Sequence, residues 1–322
     1  MPKFILYSIK DADIIVIDNG SSDNSVKLIE EKFKNVKVIL NKQNLGFAGG
    51  YNEVLKDLNH EHFIIVNSDI EVTENWIPPI IDLLESNENI AAVQPKILSY
   101  NQKNEFEYAG AAGGFIDLFG YPFCRGRIFY KIEKDNQQYD NNKEIFWASG
   151  ACMAIKGKDF KKAGGFDFDF FAHMEEIDLC WRLKNKGKVI MYCGESKVFH
   201  VGGATLNYNS PKKVFLNYRN NLIMLHKNFY GKYPLWILIA IRMILDQISA
   251  FRFIIEGNLK NIIAIQKAHI NYFKQIGKVQ KKRQSIKKIP FHKMKGVFKT
   301  SLIWQYFFKK NYYFNKIPKG KF

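Results

Sequence analysis

Three short stretches, each closing where a strand should run out, constrain this chain most. Ile14-Ile15-Val16-Ile17 leads into Asp18-Asn19-Gly20-Ser21-Ser22-Asp23, and Phe63-Ile64-Ile65-Val66 leads into Asn67-Ser68-Asp69. Between them lies Asn44-Leu45-Gly46-Phe47-Ala48-Gly49-Gly50-Tyr51-Asn52. Continuous branched apolar runs of four, ended by polar turn residues, are how a strand buried on both faces reads. Such strands need helices on both sides. Ser21 or Ser22 is expected to cap a helix through about Phe33, and Gly49-Gly50 to open one through about Leu58. Strand alternating with helix predicts a mostly parallel, Rossmann-like α/β sheet, and such sheets bind ligands at the carboxyl ends of their strands.

A chain of 322 residues can bury a full core. Its net charge of +17 is uneven: residues 201–322 carry 24 Lys and Arg against 2 Asp and Glu, whereas residues 1–200 carry 24 against 29. Cys124, Cys152, Cys180 and Cys193 form no CxxC pair and no zinc spacing, which predicts free thiols in a reducing, cytoplasmic compartment. The longest apolar run, Leu235 to Ile241, is followed by Arg242, Asp246 and Arg252, well short of the ~20 apolar residues of a spanning helix.

On a helical wheel Arg242, Asp246, Ser249, Arg252 and Glu256 share one stripe, with Leu235, Ile239, Met243, Ile244, Leu245, Ile248 and Phe251 around the rest. That pattern predicts a helix lying in an interface. Lys281-Lys282-Arg283, Lys287-Lys288, Lys293 and Lys295 follow, then Trp304, Tyr306, Phe307, Phe308, Tyr312, Tyr313 and Phe314 among lysines. Basic residues beside exposed aromatics suit an anionic membrane surface. A solvated charged face is the plainer reading, and nucleic acid ranks last because no nucleic-acid motif accompanies the charge.

Glu144 to Ile155 reads as a buried strand interrupted at Gly150, where a backbone can approach a ligand. After the turn Gly164-Gly165-Phe166-Asp167, the helix opening Glu175-Glu176-Ile177-Asp178 places three carboxylates in its first turn, where the helix dipole favours negative charge. Glu175 and Asp178 share a face; Glu176 points about 100° away. One carboxylate can thus be structural while another works, although all three could simply serve the dipole. Likewise Asp18 and Asp23 could be turn formers, Asp69 a turn cap and His200 a satisfied core histidine. Asn101 to Tyr139 reads as a variable loop region, with Arg125 and Arg127 facing either a phosphate or solvent.

The order Ile-Asp-Asn-Gly-Ser-Ser-Asp, Asn-Leu-Gly-Phe-Ala-Gly-Gly-Tyr-Asn, Asn-Ser-Asp, Gly-Gly-Phe-Asp with Phe-Phe, Glu-Glu-Ile-Asp-Leu-Cys-Trp-Arg-Leu, and Val198-Phe199-His200-Val201-Gly202-Gly203 resembles glycosyltransferase family 2. The nearest subgroup is the rhamnosyltransferase-like enzymes of bacterial surface polysaccharide assembly. The resemblance, over about residues 4 to 270, implies an A-type glycosyltransferase fold and inverting transfer of a sugar from a nucleotide diphosphate. It implies that Asp18 holds the nucleoside and that Asn44 and Gly46 line the donor, with Asn19, Gly50, Asn67, Ser68 and Gly150 completing the nucleotide-sugar pocket. It also implies that Asp69 and His200 hold Mg²⁺ or Mn²⁺ and that Glu176 is the catalytic base, supported by Glu175, Asp178 and Arg182.

Three departures accompany the likeness. Asn67 stands where the first acid of an Asp-x-Asp signature is expected, and Glu176 where aspartate is commoner. A family member also opens with a strand that is missing here, Pro2 to Ile9 resembling only the tail of the helix that follows it. The recorded start is therefore expected to lie downstream of the true one, the alternative being a degenerate, inactive copy. The resulting expectation is a catalytic domain over 1–210, N-terminally truncated, and a basic amphipathic helical membrane-associating region over 211–322. The activity expected is transfer from dTDP-rhamnose or a UDP-sugar to a lipid-linked or polysaccharide acceptor, at the inner face of the cell membrane and without nucleic acid. The competing reading is an inactive nucleotide-sugar-binding or scaffold protein at the membrane surface.

Overall fold

The computed structural model describes residues 12–202 and 210–322, apart from the side chain of Arg252. The expectations for Pro2 to Ile9, Gly203 and the Arg252 side chain lie outside the described residues. The N-terminal half alternates as expected: β1 (Ile15–Asp18), α1 (Ser25–Lys32), β2 (Lys37–Leu40), α2 (Gly46–Leu55), β3 (His62–Val66), β4 (Ile70–Val72), α3 (Pro78–Glu85) and β5 (Ile90–Ser99). The helix expected from Ser21 begins instead at Ser25. Asp18 Oδ2 takes the amides of Gly20 and Ser21, each at 3.1 Å, and Asp23 Oδ1 that of Ser25 at 3.0 Å, so residues 18–24 are spent on a turn.

Then come β6 (Gly114–Asp117), β7 (Pro122–Cys124), β8 (Arg127–Ile128), β9 (Lys131–Ile132), β10 (Lys143–Ile145), β11 (Cys152–Lys156), α4 (Gly157–Lys162), α5 (Glu175–Asn185) and β12 (Val189–His200). The region read as a loop over 101–139 therefore holds β6 to β9, which build a five-stranded sheet in the order β13-β6-β7-β8-β9 once β13 (Val297–Phe298) joins. Arg125 and Arg127 face neither phosphate nor solvent. Arg125 stacks on Tyr139 and Tyr192 while its Nε bonds the Ala112 carbonyl, and the Arg127 guanidinium lies 3.8 Å from the Tyr108 ring centre.

The α/β class with flanking helices stands, but the main sheet is mixed rather than mostly parallel. Its order is β10-β12-β5-β11-β3, with β4 on the far stretch of β12. β5 and β12 are parallel, whereas β11 is antiparallel to both β3 and β5. The physical reason is the break at Gly150: the run expected over 144–155 divides into β10 and β11, and β11 returns between two strands that share a direction. β1 and β2 form a separate parallel pair; among the described residues β1 pairs only with β2, and β3 only with β11. β5 is buried along nearly its whole length, as a strand covered on both faces must be.

The basic C-terminal third is packed into this core. α6 (Pro211–Asn228) buries Leu222, Ile223, Met224 and Leu225, β13 pairs with β6, and Phe298, Phe314 and Phe322 pack on Phe115 and Phe123. Phe314 and Tyr306 of the aromatic tail are thus core-facing, while Trp304, Phe307, Phe308 and Tyr313 are exposed. α7 (Leu235–Ile255) and α8 (Leu259–Gln284) pack beside α6. Two members of the polar stripe on α7 face inward: Arg242 and Asp246 are 2% and 1% exposed, against 64% and 61% for Ile248 and Phe251. Asp246 receives His269 of α8 at 3.0 Å, and Arg242 lies 3.6 Å over the Tyr121 ring and donates to the Phe119 carbonyl. These partners come from elements distant in sequence, which a helical wheel does not contain.

Candidate active site

The turn after β1, the start of α2 and the end of β3 lie together. Asn19 donates to the Gly46 carbonyl at 2.8 Å and to Asn44 Oδ1 at 3.3 Å, and accepts from the amide of Leu45. Asn44 Oδ1 takes the Gly46 amide at 2.9 Å. Asn19 and Asn44 are therefore staples that shape the loop, and Asp18 spends one carboxylate oxygen on its own turn. Gly46 has φ +71°, and a Cβ there would stand 2.3 Å from the Phe171 carbonyl oxygen; Gly50 packs against the Asn19 amide. Only glycine meets both demands at Gly46 without strain.

At the end of β3 the Asn67 amide bonds the Ala151 carbonyl, Ser68 is exposed in the turn, and Asp69 turns inward. Asp69 Oδ1 lies 3.1 Å from His200 Nε2, at the end of β12. His200 Nδ1 stands 3.5 Å from Glu107 Oε1, within ion-pair range but without hydrogen-bond alignment. Burial by itself would lower the His200 imidazole, yet Asp69 and Glu107 raise it to about 9. Asp69 in turn is held below the ordinary carboxylate value by His200, against its own burial. Among the described residues no group of three or more His, Cys, Asp or Glu is arranged to hold a metal ion. Asp69 and His200 are two such donors side by side, a set that suits a cation drawing its remaining ligands from phosphate and water.

Gly150 connects this corner to α5. A Cβ on Gly150 would lie 3.6 Å from Glu176 Cβ and 3.0 Å from the Phe47 ring, and Gly150 follows Ser149, whose amide bonds Gln94. Glu176 Oε2 is buried with no hydrogen-bond partner, and so is Glu175 Oε2. Burial pushes the Glu176 carboxyl up to about 7, against the backbone amides of Glu176, Ile177 and Met174. Burial, and then the neighbouring Glu176 charge, push Glu175 well above the ordinary value. One turn on, Asp178 is equally buried and fully paired: Arg182 Nε at 2.8 Å, Lys227 Nζ at 2.7 Å and Asn228 Nδ2 at 2.8 Å. Arg182 also donates to the carbonyls of Ala163 and Gly165, so it fastens the 163–167 turn to α5.

The segment leading into α5 is strained. Phe171, His173 and Met174 have φ of 64°, 69° and 73°, a region that side-chain-bearing residues rarely adopt. Asn220 of α6 holds it by donating to the carbonyls of Phe170, Ala172 and His173, at 3.0, 2.9 and 2.7 Å. Strain of this kind persists only where surrounding contacts over-determine it, and it clusters at functional sites. Burial, then the nearby Lys213 charge, lower the His173 imidazole to about 4, leaving it neutral. Glu107, His173 and Asn220 carry no local sequence signal for these positions; a buried Asn220-Asn221 pair inside a helix is the only hint.

The structure thus brings Asp18, Asn19, Asn44, Gly46 and Gly50 together, and joins Asn67, Asp69 and His200 through Ala151 and Gly150 to Glu176. Ser68 and Asn44 are the expected residues that remain exposed, and Asp178 and Arg182 form a buried ion pair within the helix.

Known proteins share this organisation. A sequence profile described as Glycosyl transferase family 2 matches residues 5–164. N-acetylglucosaminyl-diphospho-decaprenol L-rhamnosyltransferase of Mycobacterium tuberculosis is 22% identical over 59% of this chain and 67% of its own length. Rhamnosyltransferase WbbL of Escherichia coli K12 is 24% identical over 46% of this chain, which spans 55% of that relative. Among solved structures, GalNAc-T7 with UDP, GalNAc and Mn²⁺ superposes with a TM-score of 0.52 at 17% identity, over 68% of this chain and 42% of its own. That likeness carries the A-type glycosyltransferase fold. Over the segment that its profile matches, with the fold and the rhamnosyltransferase relatives in agreement, the chain belongs to glycosyltransferase family 2.

Proposed function

We propose that this transferase moves a sugar, with inversion, from a nucleoside diphosphate to a lipid-linked or polysaccharide acceptor, with Glu176 as the base. The observation that carries this reading is the Glu176 carboxyl: buried, without a partner on Oε2, raised to about 7 and bordering Gly150, whose missing side chain leaves room beside it. A sugar hydroxyl is a poor nucleophile at neutral pH, and a base with a pKa near the working pH is the best acceptor for its proton. Glu176 takes that proton as the hydroxyl oxygen attacks the anomeric carbon from the face opposite the diphosphate. The bond to the diphosphate breaks as the new glycosidic bond forms. Asn19, Asn44 and Gly46 hold the donor loop, and Asn220 holds the strained turn that aims Glu176. Asp69 and His200 would hold Mg²⁺ or Mn²⁺, which when bound offsets the charge gathering on the departing diphosphate. His200 must then give up its proton to the solvent.

The rhamnosyltransferase relatives and the UDP-bound structural neighbour support the order in which we place the donors, dTDP-rhamnose first and a UDP-sugar next, with a polyprenyl-diphosphate sugar as the leading acceptor. No helix among the described residues is long and apolar enough to cross a membrane. In this reading a lipid-linked acceptor is met at the surface of the inner leaflet. Replacing Glu176→Gln keeps the size of the side chain and removes the base. Transfer is expected to fall by about 10²–10⁴-fold with donor affinity unchanged in calorimetry. Unchanged turnover removes Glu176 from the mechanism. Donor binding without any transfer by the unaltered protein would favour the scaffold reading.

A further inference from the structure

α7 buries Arg242 and Asp246 and presents Ile244 and Ile248. Ile244, Ile248 and Phe251 of α7 and Ile263, Ile270 and Phe273 of α8 are all at least half exposed, making an apolar face across two neighbouring helices. A contiguous apolar face of this kind marks an interaction surface. Between the two helices it dips into a groove of about 370 Å³ lined by Met243, Ile244, Ile270 and Phe273 among others.

A second groove, of about 210 Å³, lies on the other flank of α8, against α6, where Lys212, Phe215, Lys260, Ile263 and Lys267 line it. The exposed ridge of Ile263 and Ile270, one heptad apart, separates the two grooves. None of the three lysines has a carboxylate partner among the described residues, so three positive charges share one groove uncompensated. The Lys212 ammonium lies 4.9 Å over the Phe171 ring, and Phe171 is the residue whose carbonyl bonds the Ala48 amide and abuts Gly46. The groove therefore borders the turn that connects the donor loop to Glu176.

We propose that the α6–α8 groove seats the phosphate of a lipid whose hydrocarbon lies along the apolar face of α7 and α8. This rests on the proposed transfer to a lipid-linked acceptor, and adds where that acceptor is gripped. Three lysines supply the charge that a mono- or diphosphate needs, while Phe215 and Ile263 in the wall and the isoleucine ridge beyond select a lipid over a free phosphate.

The test uses the full chain carrying Lys212→Gln, Lys260→Gln and Lys267→Gln together, all surface positions. Farnesyl diphosphate, inorganic diphosphate and vesicles of phosphatidylcholine with or without phosphatidylglycerol are the probes. The unaltered protein should sediment with the anionic vesicles and bind farnesyl diphosphate more tightly than inorganic diphosphate. The triple variant should lose about a hundredfold in both, at roughly 1 kcal/mol per lysine, with nucleotide binding unchanged. A second variant, Ile263→Ser with Ile270→Ser, should weaken farnesyl diphosphate but not inorganic diphosphate. Equal affinity for the two diphosphates makes the groove a free-phosphate site and overturns the proposal, as does a triple variant that binds like the original. Transfer to a lipid-linked acceptor that is unimpaired in the triple variant also overturns it while leaving the enzymatic reading intact. Lysine-dependent binding of farnesyl diphosphate by a protein that transfers no sugar supports the groove and defeats the enzymatic reading.

Discussion

The three carboxylates that open α5, one turn apart or less, live in opposite electrostatic worlds. Asp178 is fully buried and is met by Arg182, Lys227 and Asn228, while the neighbouring Asp167 is met by Lys227 and Lys282. Glu175 is also buried and Glu176 half-buried, yet Oε2 of each is enclosed without a partner. Asp167 accordingly lies well below the ordinary value, because the lysines outweigh its burial, whereas burial pushes Glu176 up to about 7. Burial alone does not set the charge of an acid. The presence or absence of a cation within reach does. One end of this cluster is built to hold α5 in place, and the other is left free to take up and release a proton.

The harshest way to break that contrast is to remove the shared cation. Lys227→Met strips Asp167 and Asp178 of a common partner and should lower the unfolding free energy by about 3–5 kcal/mol in urea denaturation. A loss under about 1 kcal/mol would mean that Arg182 and Lys282 suffice.

Next comes Gly46→Ala, which attacks the uncharged end through its backbone. The added Cβ meets the Phe171 carbonyl and the positive φ is disfavoured, so a loss of roughly 2 kcal/mol in stability is expected together with weaker donor binding. Donor affinity and melting temperature both unchanged would show that the loop shifts freely.

The pH responses of the two ends should be opposed. Glu176 keeps its proton to higher pH in the folded chain than at its ordinary 4.5, so its ionisation costs stability as pH rises from about 4.5 to about 7, while the rate climbs over that window as the base becomes available. Asp167 contributes stability above its ordinary 3.8 and loses it as pH falls through its lowered folded value. A rate profile flat between pH 5 and 8, measured at saturating donor, would contradict the assignment of Glu176. The smallest effect is expected from Glu175→Gln. A side chain that already carries its proton is replaced by a near-isostere, and stability should move by less than about 1 kcal/mol. Because no charge is removed, the limb of the rate profile should stay where it is.

Much of the loop that gathers after β1 was legible because its signals are local. Asp18, Asn19, Asn44 and Gly46 sit in polar turns after apolar runs, and turn chemistry acts within a few residues. The role of each was less legible: Asn19 and Asn44 are staples of the loop, and Asp18 caps its own turn. On α7 the helical wheel grouped Arg242 with Asp246 and left their partners unseen. Arg242 and Asp246 find Tyr121, the Phe119 carbonyl and His269, and these partners turn the two charges inward. Glu107, His173 and Asn220 left no trace in any motif, since they matter only through what folds against them.

The sequence by itself determined the strand ends, the glycines where backbone must pass closely, and the cluster of acids at the start of α5, because these follow from steric and periodic rules acting along the chain. The tertiary structure decided which of those acids is neutralised and which is left able to titrate, and which side of α7 faces out. The physical reason is that charge state and exposure depend on partners brought from 23 to 123 residues away, such as Lys227 at Asp178, His269 at Asp246 and Phe119 at Arg242, and only folding brings them within reach.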